Sequence, residues 1–376
     1  MKRRRVVLLF GGRSAEHDVS RTSAVTFLRA LDPDRFDVLP IGISPDGAWA
    51  ISDSALALHR RVPGTELLSQ VDISGTTTSP LAALPAAGTA DAMLIDELPI
   101  VIPVLHGPNG EDGTVQGLLE LAGVPYVGPG VLGSAMAMDK SVAKVVLAAA
   151  GIPQAKWLSR RSWELANDES VARFTTDTAE QIGWPVFVKP ANMGSSVGVS
   201  KATSPESFRE ALELAMGFDD TVVIEETIVG REIEFAVIGN DVVEVSAAGE
   251  IYPGSTFYDY DDKYVLANAN YSIPAQLSVE QLATGVRLAE AAYRALRCEG
   301  MARIDFFLDD GSTGGDGRGW IVNEANTIPG FTPISMYPKL WEAAGVSHAA
   351  LVEKLIDLAV DRFERRRGRV GRSRHT

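Results

Sequence analysis

Three short apolar runs, separated by helical and loop material, place the strongest constraint on the fold of this chain. They are RVVLLF at residues 5–10, FDVLPIGI at 36–43 and PIVIPVL at 99–105. Such runs are typical of parallel strands buried on both faces, and the intervening VSRTSAVTFLRAL indicates a crossover helix. The alternation therefore predicts an open parallel sheet. Ligands bind such sheets at the carboxyl ends of the strands, where the polar segments GGRSAEHDVS and HGPNGEDGTVQG follow the first and third runs.

A change of pattern near Met138 predicts a second unit. Asp139 is placed to cap the helix KSVAKVVLAAAG, which Gly151 and Pro153 end. The strands PVFVKP and TVVIEE follow, with a helix that starts near Pro205 between them. We therefore expect a compact α+β unit in the middle of the chain.

The sequence after Gly230 is rich in strands and predicts a third unit. Its strands are REIEFAVIG, DVVEVSAAGEI, MARIDFFLD and GWIVNEAN, with the amphipathic helix SVEQLATGVRLAEAAYRAL among them. A chain of 376 residues is long enough for two or three domains. The Ser-, Thr-, Ala- and Gly-rich residues 45–92 are interpreted as an insertion of variable structure. We expect an N-terminal domain at 1–137, a central domain at 138–229, a C-terminal domain at 230–364 and a solvated basic tail at 365–376.

Charge and cysteine content exclude several classes of protein. The chain has 35 Lys and Arg against 49 Asp and Glu, a net charge of -14, which argues against nucleic acid or an anionic membrane surface as the main partner. Its single cysteine, Cys298, lies in a helix-like run and cannot form an internal disulfide, so a reducing compartment fits best. The N-terminal apolar run is too short for a signal peptide. No run of about 18 apolar residues predicts a membrane span.

Polar side chains alternate with apolar ones in the last two predicted strands. Residues i and i+2 of a strand share a face, so Arg303 lies beside Asp305, and Glu324 beside Asn326. The turn-forming segment DDGSTGGDGRG predicts an antiparallel hairpin that brings the two pairs together. Carboxylate and amide oxygens are ligands that Mg²⁺ takes when phosphates and water complete its octahedron. The alternative is a solvated surface hairpin; we favour the metal because Asp and Asn are poor strand formers.

The segment Phe187–Lys201, FVKPANMGSSVGVSK, contains a Gly- and Ser-rich loop that fits neither GxGxxG nor GxxxxGK[ST]. Lys189 lies at the end of a strand, where its ammonium group can contact phosphate oxygens. The glycines allow backbone N–H groups to approach the same oxygens. An ordinary flexible turn is the alternative, but the combination with Lys140 and the carboxylate hairpin favours a phosphate-binding loop.

Seven segments follow one another along the chain, namely GGRSAEHDVS, HGPNGEDGTVQGLLELAGVPYVG, MDK, FVKPANMGSSVGVSK, GSTFYDYDDKY, RIDF and NEANTIPGFTPISMYP. In this order they closely resemble segments of the D-alanine–D-alanine ligases, which are ATP-grasp enzymes. The resemblance covers nearly the whole chain, except the residues after about 364 and much of 45–92. It implies a mixed α/β and α+β fold, with an N-terminal open parallel-sheet domain followed by two α+β domains that grip ATP. It also implies that MGSSVG is a mobile flap over the phosphates, and that the protein is a cytoplasmic homodimer that pairs through its N-terminal domain.

The resemblance implies a nucleotide and metal site on the matching positions. Lys140 and Lys189 would hold the α- and β-phosphates, and Glu232 would bind the ribose hydroxyls. Glu226 stands where some members carry lysine, so its side chain departs from the family pattern. Two Mg²⁺ or Mn²⁺ ions would be bound by Asp305, Glu324 and Asn326. The further positions around ATP are Glu225, Glu226 and Ile228 at the adenine, together with Ser196 and Lys263.

The same resemblance implies the amino-acid site. Glu16 would bind the ammonium group of the first substrate and form a hydrogen-bonded trio with Ser195 and Tyr264. Arg303 and the N–H of Gly330 would stabilise the oxyanion of the tetrahedral intermediate. The sequence alone leaves other roles open, since Glu16 and Ser195 could cap helices and His106 could cap a turn. The positions implied at the substrate carboxylates are His106 for the first amino acid, and Ser335 with Met336 for the second.

The implied activity is ATP-dependent ligation of two D-alanines to D-alanyl-D-alanine through an acylphosphate, for peptidoglycan biosynthesis. The resemblance includes the loop YDYDDKY, which contains Tyr264 and favours a dipeptide over a depsipeptide product. The nearest alternative is a related ATP-grasp ligase that makes D-alanyl-D-lactate or another dipeptide. An alternative from another class is a nucleotide-binding regulator without turnover, which the joint presence of Arg303, Asp305, Glu324 and Asn326 disfavours.

Overall fold

The computed structural model describes residues 3–79, 82, 84, 94–252 and 270–369. Within these ranges the chain forms three β-sheets with helices packed against them. Two of the expected site residues, Lys263 and Tyr264, lie outside the described residues. Among the described helices, none combines the length and the apolar character needed to cross a membrane.

The first unit has the predicted alternation of strands and helices. It contains β1 (Arg4–Gly11), α1 (His17–Ala30), β2 (Phe36–Ile43), β3 (Trp49–Ile51), α2 (Asp53–His59), β4 (Thr77–Thr78), a 3₁₀ turn (Ile95–Glu97), β5 (Ile100–Val104), α3 (Thr114–Ala122) and α4 (Val131–Met138). The sheet order is β4-β3-β2-β1-β5, and β1 is parallel to both β2 and β5. The three predicted strands and their parallel pairing are confirmed.

The edge of this sheet differs from the prediction. β3 pairs antiparallel with β2, and β4 pairs antiparallel with β3, so the sheet is mixed. These two strands and α2 come from residues 45–92, which the sequence indicated only as an insertion. Strands of two and three residues give too little periodicity to be recognised.

The second unit has its own antiparallel sheet, with the order β6-β9-β7-β8. Its elements are α5 (Lys140–Ala149), β6 (Trp157–Arg161), a 3₁₀ turn (Ser162–Leu165), α6 (Asp168–Gln181), β7 (Val186–Pro190), β8 (Ser200–Ala202), α7 (Pro205–Met216) and β9 (Thr221–Glu226). Asp139 caps α5 as predicted, since its Oδ1 accepts hydrogen bonds from the N–H groups of Ser141 and Val142. Residues 191–199 join β7 to β8 and form the loop that the sequence predicted as a flap.

The third unit has a sheet of order β12-β11-β10-β13-β14. Its elements are β10 (Arg231–Gly239), β11 (Val243–Tyr252), β12 (Asn270–Ser272), α8 (Val279–Ala295), β13 (Gly300–Asp309), β14 (Gly319–Asn326), α9 (Met336–Ala343) and α10 (His348–Arg367). β13 and β14 form the predicted antiparallel hairpin, in which Arg303 pairs with Asn326 and Asp305 with Glu324.

Residues 365–367, which were expected to begin a solvated basic tail, continue a helix instead. Helix α10 continues to Arg367, and two of its arginines tie it to the first unit. Arg362 is 3% exposed and donates hydrogen bonds to the carbonyl oxygens of Tyr126 and Gly128. Arg366 lies 2.5 Å from Glu120 and 2.6 Å from Glu299. A run of basic residues suggested a solvated tail, but carboxylates remote in sequence pair with it.

The cores show which units pack together. One continuous apolar cluster joins strand residues of the first sheet, such as Val6 and Leu8, to Tyr337 and Leu355 of α9 and α10. The second unit has a separate core built on Val188 and its neighbours. The first and third units therefore share one core. Helix α5 of the second unit also packs against the third unit through Ala143 and Leu147, whereas the sheet that carries the flap has its own core.

Candidate active site

Two adjoining cavities lie where the three units meet. Counting the space that is open to solvent, one has a volume of about 1030 Å³ and the other of about 760 Å³, and both are lined by Ser195 and Glu324. The larger contains the described residues expected at the nucleotide, namely Lys140, Lys189, Ser196, Glu225, Glu226, Ile228 and Glu232. The smaller contains those expected at the amino acids and hairpin, namely Glu16, His106, Ser195, Arg303, Glu324, Asn326, Gly330, Ser335 and Met336. The fold therefore brings together the described residues that were expected at each part of the site.

The flap is in contact with the start of helix α1. Ser195 and Ser196 have φ angles of 50° and 59°, a left-handed conformation that is uncommon outside glycine. The Ser195 hydroxyl donates a 2.5 Å hydrogen bond to Oε1 of Glu16, across 179 residues of sequence. The Glu16 side chain does not cap α1, and Ser195 is not in a helix, so the helix-cap alternatives are wrong. Two members of the expected trio therefore meet, and Tyr264 lies outside the described residues.

A buried charge triad lies below the nucleotide cavity. Glu225 is 4% exposed, and its carboxylate lies 2.9 Å from the Nζ of Lys189 and 3.2 Å from that of Lys144. Burial opposes ionisation of Glu225, but the two lysines outweigh it and lower its pKa to about 2. Burial lowers the pKa of Lys144, and the charge of Glu225 acts against this.

Lys144 was missed in the sequence, although a signal was present. It follows Lys140 by one helical turn on α5, and residues four apart share a helix face. Two lysines at this spacing indicate that both approach the cleft. Lys140 reaches the flap, where its Nζ donates a 2.6 Å hydrogen bond to the carbonyl oxygen of Met193, and it lies 3.8 Å from Glu324.

Glu226, whose side chain departs from the family pattern, is directed to other partners. Its Oε1 accepts a 2.8 Å hydrogen bond from Arg318 and a 2.6 Å hydrogen bond from the backbone N–H of Lys156. Its own N–H donates to the carbonyl oxygen of Lys156. The side chain therefore holds β9 to the neighbouring segments, and its expected role at the adenine stays a prediction.

The polar face of the β13–β14 hairpin is internally hydrogen-bonded. Arg303 donates to both carboxylate oxygens of Asp305 at 2.7 Å, and Asn326 donates to Oδ2 at 2.9 Å. Asp305 is 9% exposed and does not itself line either cavity. The hairpin is thus not a solvated surface feature.

The donor set of this hairpin fits a divalent cation. Two carboxylates and an amide supply hard oxygen ligands, and Glu324 lies where both cavities meet. Among the described residues, Oδ1 of Asp305 accepts a hydrogen bond from Arg303 alone, which leaves one lone pair for a cation. Within the described ranges, no group of three or more His, Cys, Asp or Glu could hold a metal by itself. The amide and non-protein oxygens would therefore have to complete the coordination.

His106 is buried and joins distant parts of the chain. It is 4% exposed, its Nδ1 lies 2.8 Å from the carbonyl oxygen of Ile328, and its Nε2 lies 3.2 Å from the hydroxyl of Ser23. Burial lowers its pKa, which favours the neutral ring. A carbonyl oxygen only accepts hydrogen bonds, so Nδ1 carries the proton. His106 therefore links α1 to residue 328 and is not a simple turn cap.

Glu111 is a second buried residue that sequence reasoning missed. Its carboxylate accepts hydrogen bonds from the N–H groups of Gly107 at 2.8 Å and Ile328 at 3.0 Å. Burial and the nearby charge of Glu16 raise the pKa of Glu111 to about 8. Its position within GEDG gave no sign that it would bond a residue 217 positions away.

Close approach explains the glycine at residue 330. A Cβ added to Gly330 would lie 2.8 Å from the Oγ of Ser335, which is too close for an ordinary contact. Ser335 also accepts a 3.0 Å hydrogen bond from the N–H of Thr332, and Met336 begins α9. The segment that leads from β14 to α9 is therefore tightly folded against the smaller cavity.

Known proteins match this chain along almost its entire length. The family model described as D-ala D-ala ligase N-terminus matches residues 5–129, and that described as D-ala D-ala ligase C-terminus matches residues 146–357. A D-alanine–D-alanine ligase of Geobacillus thermodenitrificans is 44% identical over 368 residues, which cover 96% of each chain. That of Acetivibrio thermocellus is 45% identical over 375 residues, which cover 96% of this chain and 97% of the relative.

Two solved structures of ligases are also similar to this chain. The D-alanine–D-alanine ligase of Coxiella burnetii has a TM-score of 0.77 and 33% identity, and the match covers 97% of this chain and 96% of that one. The VanG D-Ala:D-Ser ligase of Enterococcus faecalis has a TM-score of 0.76 and 31% identity, over 95% and 100% of the two chains. The expected ATP-grasp fold, of mixed α/β class, is confirmed. This chain therefore belongs to the D-alanine–D-alanine ligase family.

Proposed function

We propose that the protein uses ATP to join two D-alanines into D-alanyl-D-alanine for peptidoglycan biosynthesis. The observation that carries this proposal is the junction of the two cavities at Ser195 and Glu324. A nucleotide held in the larger cavity would present its terminal phosphate to an amino acid held in the smaller one. Membership in an ATP-dependent ligase family supports the use of ATP and a divalent cation.

In the first step, a carboxylate oxygen of the first D-alanine attacks the γ-phosphorus of ATP. The bond from that phosphorus to ADP breaks, and an acylphosphate forms. Lys140 and Lys189 would hold the phosphates, and Glu16 would hold the ammonium group of the first D-alanine. Two Mg²⁺ or Mn²⁺ ions bound by Asp305, Glu324 and Asn326 would neutralise charge on the phosphoryl group. The flap bond from Ser195 to Glu16 would keep water out of the closed site.

In the second step, the amine of the second D-alanine attacks the acyl carbon. A C–N bond forms, the C–O bond to the phosphate breaks, inorganic phosphate leaves, and the amine loses a proton. Arg303 and the N–H of Gly330 would stabilise the oxyanion that develops on the carbonyl oxygen. Ser335 and the N-terminal end of α9 at Met336 would receive the carboxylate of the second substrate.

The compartment and the assembly state are also proposals. A single buried cysteine, Cys298, fits a reducing compartment, and we propose that the enzyme acts in the cytoplasm. We further propose a homodimer formed through the first unit. Sedimentation analysis would test the dimer, and a monomer at micromolar concentration would contradict it.

One incubation series tests the activity. The protein is mixed with ATP, Mg²⁺ and D-alanine alone, or with D-alanine together with D-lactate, D-serine or L-alanine, and the products are identified by mass. We expect D-alanyl-D-alanine and an equal amount of ADP. Predominant D-alanyl-D-lactate or D-alanyl-D-serine would indicate a related ligase. ATP binding without ADP release would indicate a regulator.

A further inference from the structure

The segment between β14 and α9 that contains Gly330 is held by residues from the first unit. The N–H of Ile328 donates to Glu111 at 3.0 Å, and the carbonyl oxygen of Ile328 accepts from His106 at 2.8 Å. The N–H of Phe331 donates to the hydroxyl of Ser23 at 3.1 Å. These three bonds bracket Gly330 on both sides.

Ser23 combines two of these contacts in one hydroxyl group. It lies in α1 and is fully buried. Since Nδ1 of His106 carries the ring proton, Nε2 is an acceptor, and the Ser23 hydroxyl donates to it across 3.2 Å. The same oxygen accepts the hydrogen bond from Phe331. Both capacities of the hydroxyl are therefore used, and one fixes the imidazole while the other fixes the backbone.

We propose that Ser23 is a positioning residue for the second chemical step, an inference that rests on the proposed function. By holding the N–H of Phe331, Ser23 fixes the peptide that follows Gly330. Together with the bonds at Ile328, this sets the direction of the Gly330 N–H, which would donate to the oxyanion. Ser23 lines neither cavity, so it acts through the segment and not on the substrate.

The serine can be removed without releasing the whole segment. Phe27 follows Ser23 by one turn of α1, and its ring lies 4.5 Å from that of Phe331, measured between centroids. This aromatic contact and the bonds from Glu111 and His106 remain in Ser23→Ala. What the variant loses is the orientation of the Gly330–Phe331 peptide, because its buried N–H no longer has an acceptor.

The two chemical steps should respond differently. Phosphoryl transfer depends on the lysines and on the metal-binding carboxylates, which Ser23 does not touch. His106, expected at the carboxylate of the first D-alanine, keeps its bond to Ile328 when Ser23 is removed. Loss of a whole oxyanion donor costs about 10²–10³ in rate, so misorientation of one donor should cost about 10-fold to 100-fold in the second step alone. Reversal of the first step would then become more frequent for each dipeptide formed.

Positional isotope exchange measures this partition. ATP labelled with ¹⁸O in the bridge between the β- and γ-phosphorus scrambles its label only if the acylphosphate forms and returns to ATP. The ratio of scrambling to dipeptide formation does not depend on the fraction of active enzyme. The matched control is Ser20→Ala, because Ser20 is equally buried on α1 and bonds Gly11 and Val104 but not the segment at 328–331.

We expect Ser23→Ala to lower the kcat for dipeptide formation at least about tenfold and to raise the exchange ratio, with no rise in Ser20→Ala. An unchanged ratio in Ser23→Ala, or an equal rise in both variants, would overturn the proposal. If Ser23→Ala does not fold, the near-isosteric Ser23→Cys decides by the same two criteria. A wild-type protein that makes no D-alanyl-D-alanine would overturn the proposed function itself, and this inference with it.

Discussion

Replacing Glu225 by glutamine should destabilise the protein far more than removing the buried lysine beside it. Glu225 lies 3.2 Å from Lys144 and 2.9 Å from Lys189, and the three groups carry one net positive charge. The variant Glu225→Gln leaves two neighbouring ammonium groups without a counterion. One of them, on Lys144, is 3% exposed and cannot be hydrated.

The size of this effect follows from the geometry. With an effective dielectric constant of about 20, Coulomb's law gives an attraction of about 5 kcal/mol at the 3.2 Å separation of Lys144 and Glu225. Lys144 can limit the loss by giving up its proton. At pH 7 that costs about 5 kcal/mol at most, because its ordinary pKa is 10.5 and one pKa unit is worth about 1.4 kcal/mol. We therefore expect Glu225→Gln to lower the free energy of unfolding by about 3–5 kcal/mol.

Variants of Lys144 should be more stable than Glu225→Gln. Lys144→Met keeps the hydrogen-bonded and charge-balanced pair of Glu225 with Lys189, so we expect a loss of about 1–2 kcal/mol. The double variant, Lys144→Met with Glu225→Gln, keeps one charge of the triad, that of Lys189, whose side chain is 15% exposed and lines the cavity. It should be more stable than Glu225→Gln alone by about 2 kcal/mol. A second mutation that restores stability is the distinctive outcome.

Urea unfolding without nucleotide measures these differences, since a bound ligand would add stability of its own. A double variant no more stable than Glu225→Gln would refute the reasoning, as would equal losses in the two single variants. Acid provides a further check. Because the pKa of Glu225 is lowered from 4.5 to about 2, its contribution is complete above pH 4.5 and is lost as the pH falls toward 2. The free energy of unfolding of Glu225→Gln should therefore fall less than that of the wild type as the pH falls from 4.5 toward 2.

Three further predictions concern the flap, Glu111 and the hairpin. Ser195→Ala removes the bond from the flap to Glu16 and should raise the KM for D-alanine about tenfold, the effect of about 1.5 kcal/mol for a hydrogen bond to a charged group; an unchanged KM in steady-state kinetics would count against it. The pKa of Glu111 is raised from 4.5 to about 8, so the wild-type protein should lose stability as the pH rises from 4.5 through 8, whereas Glu111→Gln should not. Equal changes in the urea midpoints of both proteins between about pH 5 and about pH 8.5 would contradict that assignment. Asp305→Asn and Glu324→Gln should each raise the Mg²⁺ concentration for half-maximal activity at least about tenfold, and titration curves that overlay the wild type would exclude the predicted metal site.

The sequence by itself determined the elements whose patterns are local. Continuous apolar runs identified β1, β2 and β5 because strands buried on both faces have few polar positions. The alternation at Arg303, Asp305, Glu324 and Asn326 predicted the polar face, since side chains two apart in a strand point the same way. The turn-forming segment DDGSTGGDGRG between the strands predicted the hairpin. The family resemblance supplied the remaining roles, which no spacing argument would have produced.

The tertiary structure decided what depends on groups that are far apart along the chain. Ser195 meets Glu16 across 179 residues, and Phe331 meets Ser23 across 308. The basic residues at the end of α10 looked solvated until Glu120 and Glu299 were brought to Arg366. Hydrogen bonds and ion pairs act over a few ångströms in space and have no preferred separation in sequence. Local patterns therefore predict the strands and helices, while the contacts that orient the site exist only once those elements have packed.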